Sequence, residues 1–158
     1  GSTTAFLAEN LKNHRDLTVV TNGLHAAQSL VNKNNNRVFL AGGELSLVEG
    51  GAFGPDTVAF VERFNLDVAV VSADGYDPKS GFLLAACAEA ALARVVVQRA
   101  HRTIVVTDHT KFGQNAPMVA CGPGDVDTVV TDRPLSPQMA ECMARYDVEV
   151  VVVDQDTS

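Results

Sequence analysis

Residues 66–72 read LDVAVVS, and residues 103–107 read TIVVT. Both stretches are short, rich in β-branched residues and bounded by polar ones, which is typical of strands buried on both faces of a parallel sheet. Between them, residues 84–100 are rich in Leu, Ala and Val and are long enough for a helix. A strand, a helix and a second strand in this order predict a β–α–β unit with parallel strands.

The same alternation extends along the whole chain. Further strands are predicted at Leu17–Thr21, Arg37–Leu40, Thr128–Thr131 and Val148–Val153. Further helices are predicted at Thr4–Asn13, Gly23–Val31, Gly54–Phe64 and Ser136–Tyr146. We therefore predict an α/β, Rossmann-like fold with a mostly parallel sheet and helices on both faces.

Composition narrows the function classes. The chain has 158 residues, 46% of them hydrophobic, as expected for one globular domain. Its net charge of −7 disfavours binding of this chain to DNA, RNA or an anionic membrane. No apolar run reaches the roughly 18 residues of a membrane span. Cys87, Cys121 and Cys142 are odd in number and far apart, which indicates reduced thiols in a cytoplasmic protein.

Polar residues follow several of the predicted strands, at the edge where open α/β sheets bind ligands. Thr21 and Asn22 follow one strand, and Gly42 and Gly43 follow the next. Hydroxyls, small residues and helix N-termini suit a phosphate group. The alternative is that these residues only cap helices and form tight turns.

Charged residues follow the later strands. Asp74 and Asp77 could accept hydrogen bonds from sugar hydroxyls, or could simply form a turn. Glu89 is a lone carboxylate among Leu and Ala, and Lys111 follows a strand end beside Asp108. The four histidines lack the spacing of metal ligands, and His109 is the one that lies within this set. Nucleotide-binding and nucleophile-elbow motifs are absent, so we expect neither a metal nor a cofactor.

Taken in order, the short motifs resemble one family, the C-terminal sensor domain of DeoR-family transcriptional regulators. The resemblance covers essentially the whole chain and rests on Gly1-Ser2-Thr3-Thr4, Val20-Thr21-Asn22, Ala41-Gly42-Gly43, Phe53-Gly54-Pro55, the segment from Asp67 to Gly75, Asp77 with Gly81, Glu89, and the segment from Asp108 to Gly113.

The resemblance implies a single effector-binding domain over residues 1–158, a homo-oligomer, and an N-terminal winged helix-turn-helix that binds operator DNA. The effector would be a phosphorylated sugar or related metabolite that relieves repression of sugar catabolic genes. The first strand of the family would then precede residue 1, because the chain opens on a helix pattern.

The resemblance also assigns ligand-binding roles. Ser2, Thr3 and Thr4 would bind the phosphate, with Thr21 and Asn22 supporting them. Asp74, Asp77 and Glu89 would contact sugar hydroxyls, and Lys111 would offset the anionic charge. The set is completed by Gly42, Gly43, Gly81 and Asp108.

An alternative comes from ribose-5-phosphate isomerase, which is related in fold. Asp74, Asp77, Glu89, Asp108 and Lys111 match positions around the sugar phosphate of that enzyme, where the glutamate acts as the base. The isomerase has a lysine and a glycine run in the loop before that glutamate. Residues 80–86 of this chain contain no lysine, which favours a sensor that holds its ligand over an enzyme.

Overall fold

The computed structural model describes residue 7 and residues 10–153. The chain divides into two compact units, with the boundary between Phe64 and Asn65. Half of the predicted helix Thr4–Asn13 lies outside the described residues, and Leu7, Asn10 and Leu11 are helical.

The first unit begins with a β–α–β arrangement. Strand β1 (Thr18–Thr21) and strand β2 (Arg37–Leu40) pair in parallel and are connected by helix α1 (Leu24–Leu30). The helix buries Ala26 and Leu30, which are four residues apart and therefore lie on one helical face. The predicted strands and helix of this segment are confirmed to within one residue at each end.

A hairpin and a second helix complete this unit. Strands β3 (Glu44–Ser46) and β4 (Gly51–Phe53) pair in antiparallel fashion, and helix α2 (Pro55–Val61) follows with proline at its start. The sequence does not predict this hairpin, because strands of three residues that contain Glu and Gly show no clear alternation of apolar and polar residues.

The second unit is built on a parallel sheet. It contains strand β5 (Leu66–Ser72), a hairpin of β6 (Gly75–Asp77) and β7 (Gly81–Leu84), and helix α3 (Cys87–Arg99). Strand β8 (Ala100–Val106), strand β9 (Met118–Cys121), strand β10 (Thr128–Thr131), helix α4 (Pro137–Arg145) and strand β11 (Glu149–Val152) follow. Four strands pair in parallel in the order β11-β10-β8-β5, and β9 pairs with β7. The predicted α/β, Rossmann-like architecture with a mostly parallel sheet is confirmed.

The centre of the parallel sheet forms the core of this unit. Val105 and Val129 are opposite each other on β8 and β10, and both are completely buried. They belong to one hydrophobic cluster with Ala90 of α3, Met143 of α4 and Phe82 of the β6–β7 hairpin. Both helices and the hairpin therefore pack into the same core.

The predicted start of one helix differs from the structure. The helix predicted from Leu84 begins at Cys87, because Leu84 pairs with Met118 as part of β7 and is almost completely buried there. A short apolar run does not by itself distinguish a strand from a helix. By contrast, α4 begins as predicted, with the Ser136 hydroxyl accepting a hydrogen bond from the Met139 N–H at 3.3 Å.

None of the helices within the described residues is both long enough and apolar enough to cross a membrane.

Candidate functional site

In the second unit, the carboxyl ends of three neighbouring strands bring polar residues to one edge of the sheet. Strands β5, β8 and β10 are adjacent and parallel, so the segments that follow them start side by side. The Thr107 hydroxyl donates a hydrogen bond to the Ala73 carbonyl at 3.1 Å. The backbone N–H of His109 donates to the Asp132 carboxylate at 2.7 Å. These two bonds link the three strand ends into one polar edge.

Asp74 and Glu89 both lie where β5 meets the start of α3. The Asp74 carboxylate accepts a hydrogen bond from the backbone N–H of Ala85 at 2.9 Å. Glu89, in the first turn of α3, accepts a bond from the Ser72 hydroxyl at 3.4 Å. Strand β5 and helix α3 therefore carry two carboxylates at the same edge of the sheet.

A short 3₁₀ helix, His109–Lys111, follows β8; Asp108 directly precedes it and Lys111 is its last residue. The Asp108 carboxylate caps this helix by accepting hydrogen bonds from the backbone N–H of Thr110 at 2.9 Å and from the Thr110 hydroxyl. Lys111 is half-buried at the end of the helix. The ion pairs found within residues 10–153 do not involve Lys111.

Asp77 and Gly81 lie at the other end of the β6–β7 hairpin from Asp74. Asp77 pairs with Gly81 beside the turn, and the Asp77 carboxylate accepts the Ser80 N–H at 2.8 Å, which lowers the pKa of Asp77. Gly81 has a φ of +98°, and a Cβ there would collide with the Cys121 carbonyl oxygen. The hairpin geometry thus accounts for Gly81 and for the local hydrogen bond of Asp77.

His109 and Asp132 form a pair that the sequence patterns do not indicate. The imidazole Nδ1 lies 3.0 Å from Oδ1 and 3.1 Å from Oδ2 of the Asp132 carboxylate. Partial burial raises the pKa of Asp132, but the hydrogen bonds from the His109 backbone and imidazole outweigh that effect and lower the pKa overall. Asp132 directly follows the predicted strand Thr128–Thr131, so the strand-end rule could have found this residue.

In the first unit, Thr21 and Asn22 take part in local structure at the end of β1. The Thr21 hydroxyl oxygen accepts the Gly23 N–H at 3.1 Å, a bond that does not use the hydroxyl proton. The Asn22 amide donates to the Ala52 carbonyl at 2.8 Å and so joins β1 to the hairpin.

Gly42 and Gly43, which follow β2, lie against helix α2. The Gly42 carbonyl accepts a hydrogen bond from the fully buried Thr57 hydroxyl at 2.6 Å. A Cβ at Gly43 would collide with the same hydroxyl, whereas a Cβ at Gly42 would meet nothing within 4 Å. Close packing therefore explains a glycine at position 43 and not at position 42.

Ser2, Thr3 and Thr4, the predicted phosphate-binding residues, lie outside the described residues, and their role stays a prediction.

The thiols and the acidic groups are not arranged as a metal site. Cys121 and Cys142 are buried, and burial together with the charge of Asp125 raises the pKa of Cys121 to about 12. Cys87 is exposed at the first residue of α3. Among the described residues, no group of three or more His, Cys, Asp or Glu side chains is placed to hold a metal ion.

A separate open cleft of about 530 Å³ lies at the amino end of the parallel sheet. Its polar lining includes Arg94, His101, Asp125 and Asp127. The two carboxylates already accept backbone hydrogen bonds, Asp125 from Gly122 at 2.9 Å and Asp127 from Thr103 at 2.8 Å. The cleft contains no residue of the predicted ligand-binding set.

Known proteins resemble this chain over most of its length. A family model described as the DeoR C terminal sensor domain matches residues 1–133. The chain is 32% identical to the glycerol-3-phosphate regulon repressor of Escherichia coli strain K12, over 95% of this chain and 60% of that protein. It is 30% identical to the transcriptional repressor AccR of Agrobacterium fabrum, over 84% of this chain and 52% of that protein.

A more distant relative is the HTH-type transcriptional repressor GlcR of Bacillus subtilis, which is 26% identical over 98% of this chain. The chain spans 60% or less of the length of these three repressors. Since the family model covers five-sixths of the chain, and one repressor is 32% identical across nearly all of it, the chain belongs to the DeoR C-terminal sensor domain family.

Proposed function

We propose that this chain is the effector-sensing part of a transcriptional repressor and that it binds a phosphorylated sugar or a related polyol phosphate. The observation that carries the proposal is the strand-end edge of the second unit, where Asp74, Glu89 and the Asp108–Lys111 segment meet. Family membership and a relative named as the glycerol-3-phosphate regulon repressor support this class of ligand.

The side chains of this edge match the groups of such a ligand. Lys111 supplies a positive charge for the phosphate in a chain whose net charge is −7. Asp74 and Glu89 accept hydrogen bonds from the sugar hydroxyls. A carboxylate offers about four lone-pair positions, so the bond between Asp74 and Ala85 leaves capacity for a ligand. Asp108 keeps Lys111 in place by capping its helix.

The remaining predicted residues keep their proposed roles with unequal support. The family resemblance alone supports roles for Ser2, Thr3, Thr4, Thr21, Asn22, Gly42 and Gly43. Asp77 and Gly81 have weaker support, because hairpin geometry explains both of them.

Binding of the effector would change the affinity for DNA by shifting the populations of different oligomer arrangements. The ligand would favour one arrangement of a homo-oligomer over another, and only such differential binding can change the affinity for an operator. Contact with the operator would be made by a winged helix-turn-helix elsewhere in the whole protein, which would act in the cytoplasm. The named repressors among its relatives support this arrangement.

The site supports binding of the ligand without its conversion to a product. In the isomerase alternative, a flexible, lysine-containing loop would precede the catalytic glutamate. Residues 81–84 instead form the buried strand β7, and residues 80–86 contain no lysine. The Glu89 carboxylate, which already accepts a hydrogen bond from the Ser72 hydroxyl, is suited to accepting hydrogen bonds from a ligand.

The test is a stability panel with the 158-residue chain. Glycerol 3-phosphate, ribose 5-phosphate and glucose 6-phosphate are compared with glycerol, ribose, glucose and inorganic phosphate. A ligand at about 100 times its Kd stabilises the folded chain by roughly 2.7 kcal/mol. We expect at least one sugar or polyol phosphate to stabilise the chain and its unphosphorylated counterpart to have no effect.

A pair of lysine variants makes the test specific. Lys111→Met removes the proposed cation, whereas Lys79→Met removes an exposed lysine in the turn of the β6–β7 hairpin. We expect only Lys111→Met to abolish the stabilisation. The proposal is wrong if no phosphorylated compound binds, or if both variants bind as well as the wild type. Conversion of a bound aldose phosphate to the ketose would favour the isomerase.

A further inference from the structure

His109 and Asp132 join two neighbouring strand ends at the edge that carries the proposed site. His109 follows β8, and Asp132 directly follows β10, its partner in the parallel sheet. The backbone N–H of His109 lies 2.7 Å from the Asp132 carboxylate, and the imidazole Nδ1 lies 3.0 and 3.1 Å from its two oxygens. One carboxylate therefore binds both the backbone and the side chain of the same residue.

Holding the two segments together does not require an imidazole. The backbone N–H of residue 109 already makes the shorter bond to Asp132, and any residue except proline could supply it. The contacts of Nδ1 add a fixed orientation of the ring. An ordered histidine that donates one ring nitrogen to a carboxylate is the usual arrangement where the other nitrogen has a function.

The chemistry of the pair determines which nitrogen remains for a ligand. A carboxylate only accepts hydrogen bonds, so Nδ1 carries the proton. Every hydrogen bond that the ring makes within the described part of the chain uses Nδ1, and the His109 side chain is 41% exposed. Nε2 is therefore the nitrogen that can meet a ligand, as an acceptor in the neutral ring or as a donor in the imidazolium form.

The neighbours of His109 favour an anion at this position. Lys111 lies two residues further along the same short helix. The Asp108 carboxylate is engaged in capping that helix, and the Asp132 carboxylate is engaged with His109 and accepts a further bond from the Thr131 hydroxyl at 3.4 Å. The two acidic groups thus have internal partners, whereas the imidazolium form of His109, through Nε2–H, and the Lys111 ammonium group are donors available to a phosphate.

We propose that His109 binds the phosphate group of the effector through Nε2 and that Asp132 is the positioning residue that orients its imidazole. This inference rests on the proposed function, since it names a contact residue of the same site.

The test uses two amide replacements of His109. His109→Asn places an amide nitrogen where Nδ1 lies and keeps a donor for Asp132, but it has no counterpart of Nε2. His109→Gln places its amide nitrogen closer to the Nε2 position. The probe is whichever of glycerol 3-phosphate, ribose 5-phosphate and glucose 6-phosphate has the lowest Kd for the wild-type chain in calorimetry.

A hydrogen bond to a charged group contributes about 1.5–3 kcal/mol, which corresponds to roughly 10- to 150-fold in affinity. We expect His109→Asn to raise the Kd for the probe by at least about tenfold and His109→Gln to recover part of that loss. His101→Asn is the matched control, because His101 is an exposed histidine at the amino end of the same sheet, and we expect an unchanged Kd.

A spectroscopic measurement separates ligand contact from a structural role. In the chain labelled with ¹⁵N-histidine, we expect the Nε2 resonance of His109 to shift when the probe is added. Asp132→Asn should change the tautomer of His109 and weaken binding. The double variant with His109→Asn should bind no more weakly than His109→Asn alone, because Asp132 acts through His109.

The outcomes distinguish the two proposals. If none of the three phosphates binds the wild-type chain, the proposed function fails and this inference fails with it. If a phosphate binds the wild type and His109→Asn with the same Kd, or leaves the Nε2 resonance unchanged, the inference alone is overturned. If Asp132→Asn raises the Kd by the same factor in the wild-type chain and in the His109→Asn variant, Asp132 is not the positioning residue.

Discussion

Asp132 shows how much one side chain can organise at the end of a sheet. Its carboxylate accepts hydrogen bonds from the His109 N–H at 2.7 Å, from the His109 imidazole at 3.0 Å and from the Thr131 hydroxyl at 3.4 Å. The two bonds from His109 favour the ionised carboxylate over the protonated acid. Together they outweigh the opposing effect of partial burial, and the pKa of Asp132 in the folded chain lies below its ordinary value of 3.8.

This pKa shift predicts a dependence of stability on pH. Because the folded pKa is lowered, the contribution of Asp132 to stability is fully present above pH 3.8 and is lost as the pH falls through the folded value. We expect Asp132→Asn to be less stable than the wild type at pH 6 and to approach it in stability toward pH 2. Urea unfolding at a series of pH values measures this difference, and a constant difference across the range would contradict the prediction.

At the scale of elements, the middle strands of the parallel sheet contain completely buried residues, whereas the edge strand β11 does not. Val129 on β10 is completely buried beside Val105, whereas Val152 on the edge strand β11 is 45% exposed. The same substitution at these two positions therefore removes the same atoms from very different surroundings. We expect Val129→Ala to lower the free energy of unfolding by about 2 kcal/mol, through lost burial and a residual cavity.

Val152→Ala is the control for this prediction. It removes a side chain that is partly in water, and we expect it to change the free energy of unfolding by less than about 0.5 kcal/mol. Urea denaturation measures the free energy of unfolding of both variants, and the comparison requires equal m-values. Equal losses at the two positions would mean that β10 is not the centre of the core.

The sequence predicts some elements better than others for a physical reason. Strands β2, β5 and β10 are predicted at their observed bounds. Of these, β5 and β10 are rich in β-branched residues, which is typical of strands in a parallel sheet. Strand β9 is not predicted, since its pairing joins residues far apart in the chain, as when Leu84 meets Met118. The two hairpins are not predicted because their strands are too short to show a clear alternation.

The same distinction applies to the site. Asp74 and Asp108 could be found from their positions after strands, because the carboxyl ends of parallel strands share one edge. The pairing of His109 with Asp132 could not be found, since it requires knowing that β8 and β10 are neighbours. Sequence patterns thus indicate which residues are near the edge, and only the strand order shows which of them meet.

On the scale of the whole molecule, the net charge of −7 disfavours binding of this chain by itself to nucleic acid. Nucleic acid binding requires cations that neutralise phosphates and release counterions. We expect the isolated 158-residue chain to bind a fluorescent DNA duplex more weakly than about 10⁻⁴ M in 50 mM salt, as measured by anisotropy. Saturable micromolar binding that weakens steeply with added salt would show that this chain contacts DNA directly.

The three cysteines have a practical consequence for following the folded chain in solution. Two thiols are buried, and the third, Cys87, is exposed at the start of α3, two residues before Glu89. A thiol-reactive fluorophore would therefore label the native chain at one position, without any engineered cysteine. That dye would sit within one helical turn of a proposed ligand contact, where changes in its emission could report occupancy in real time.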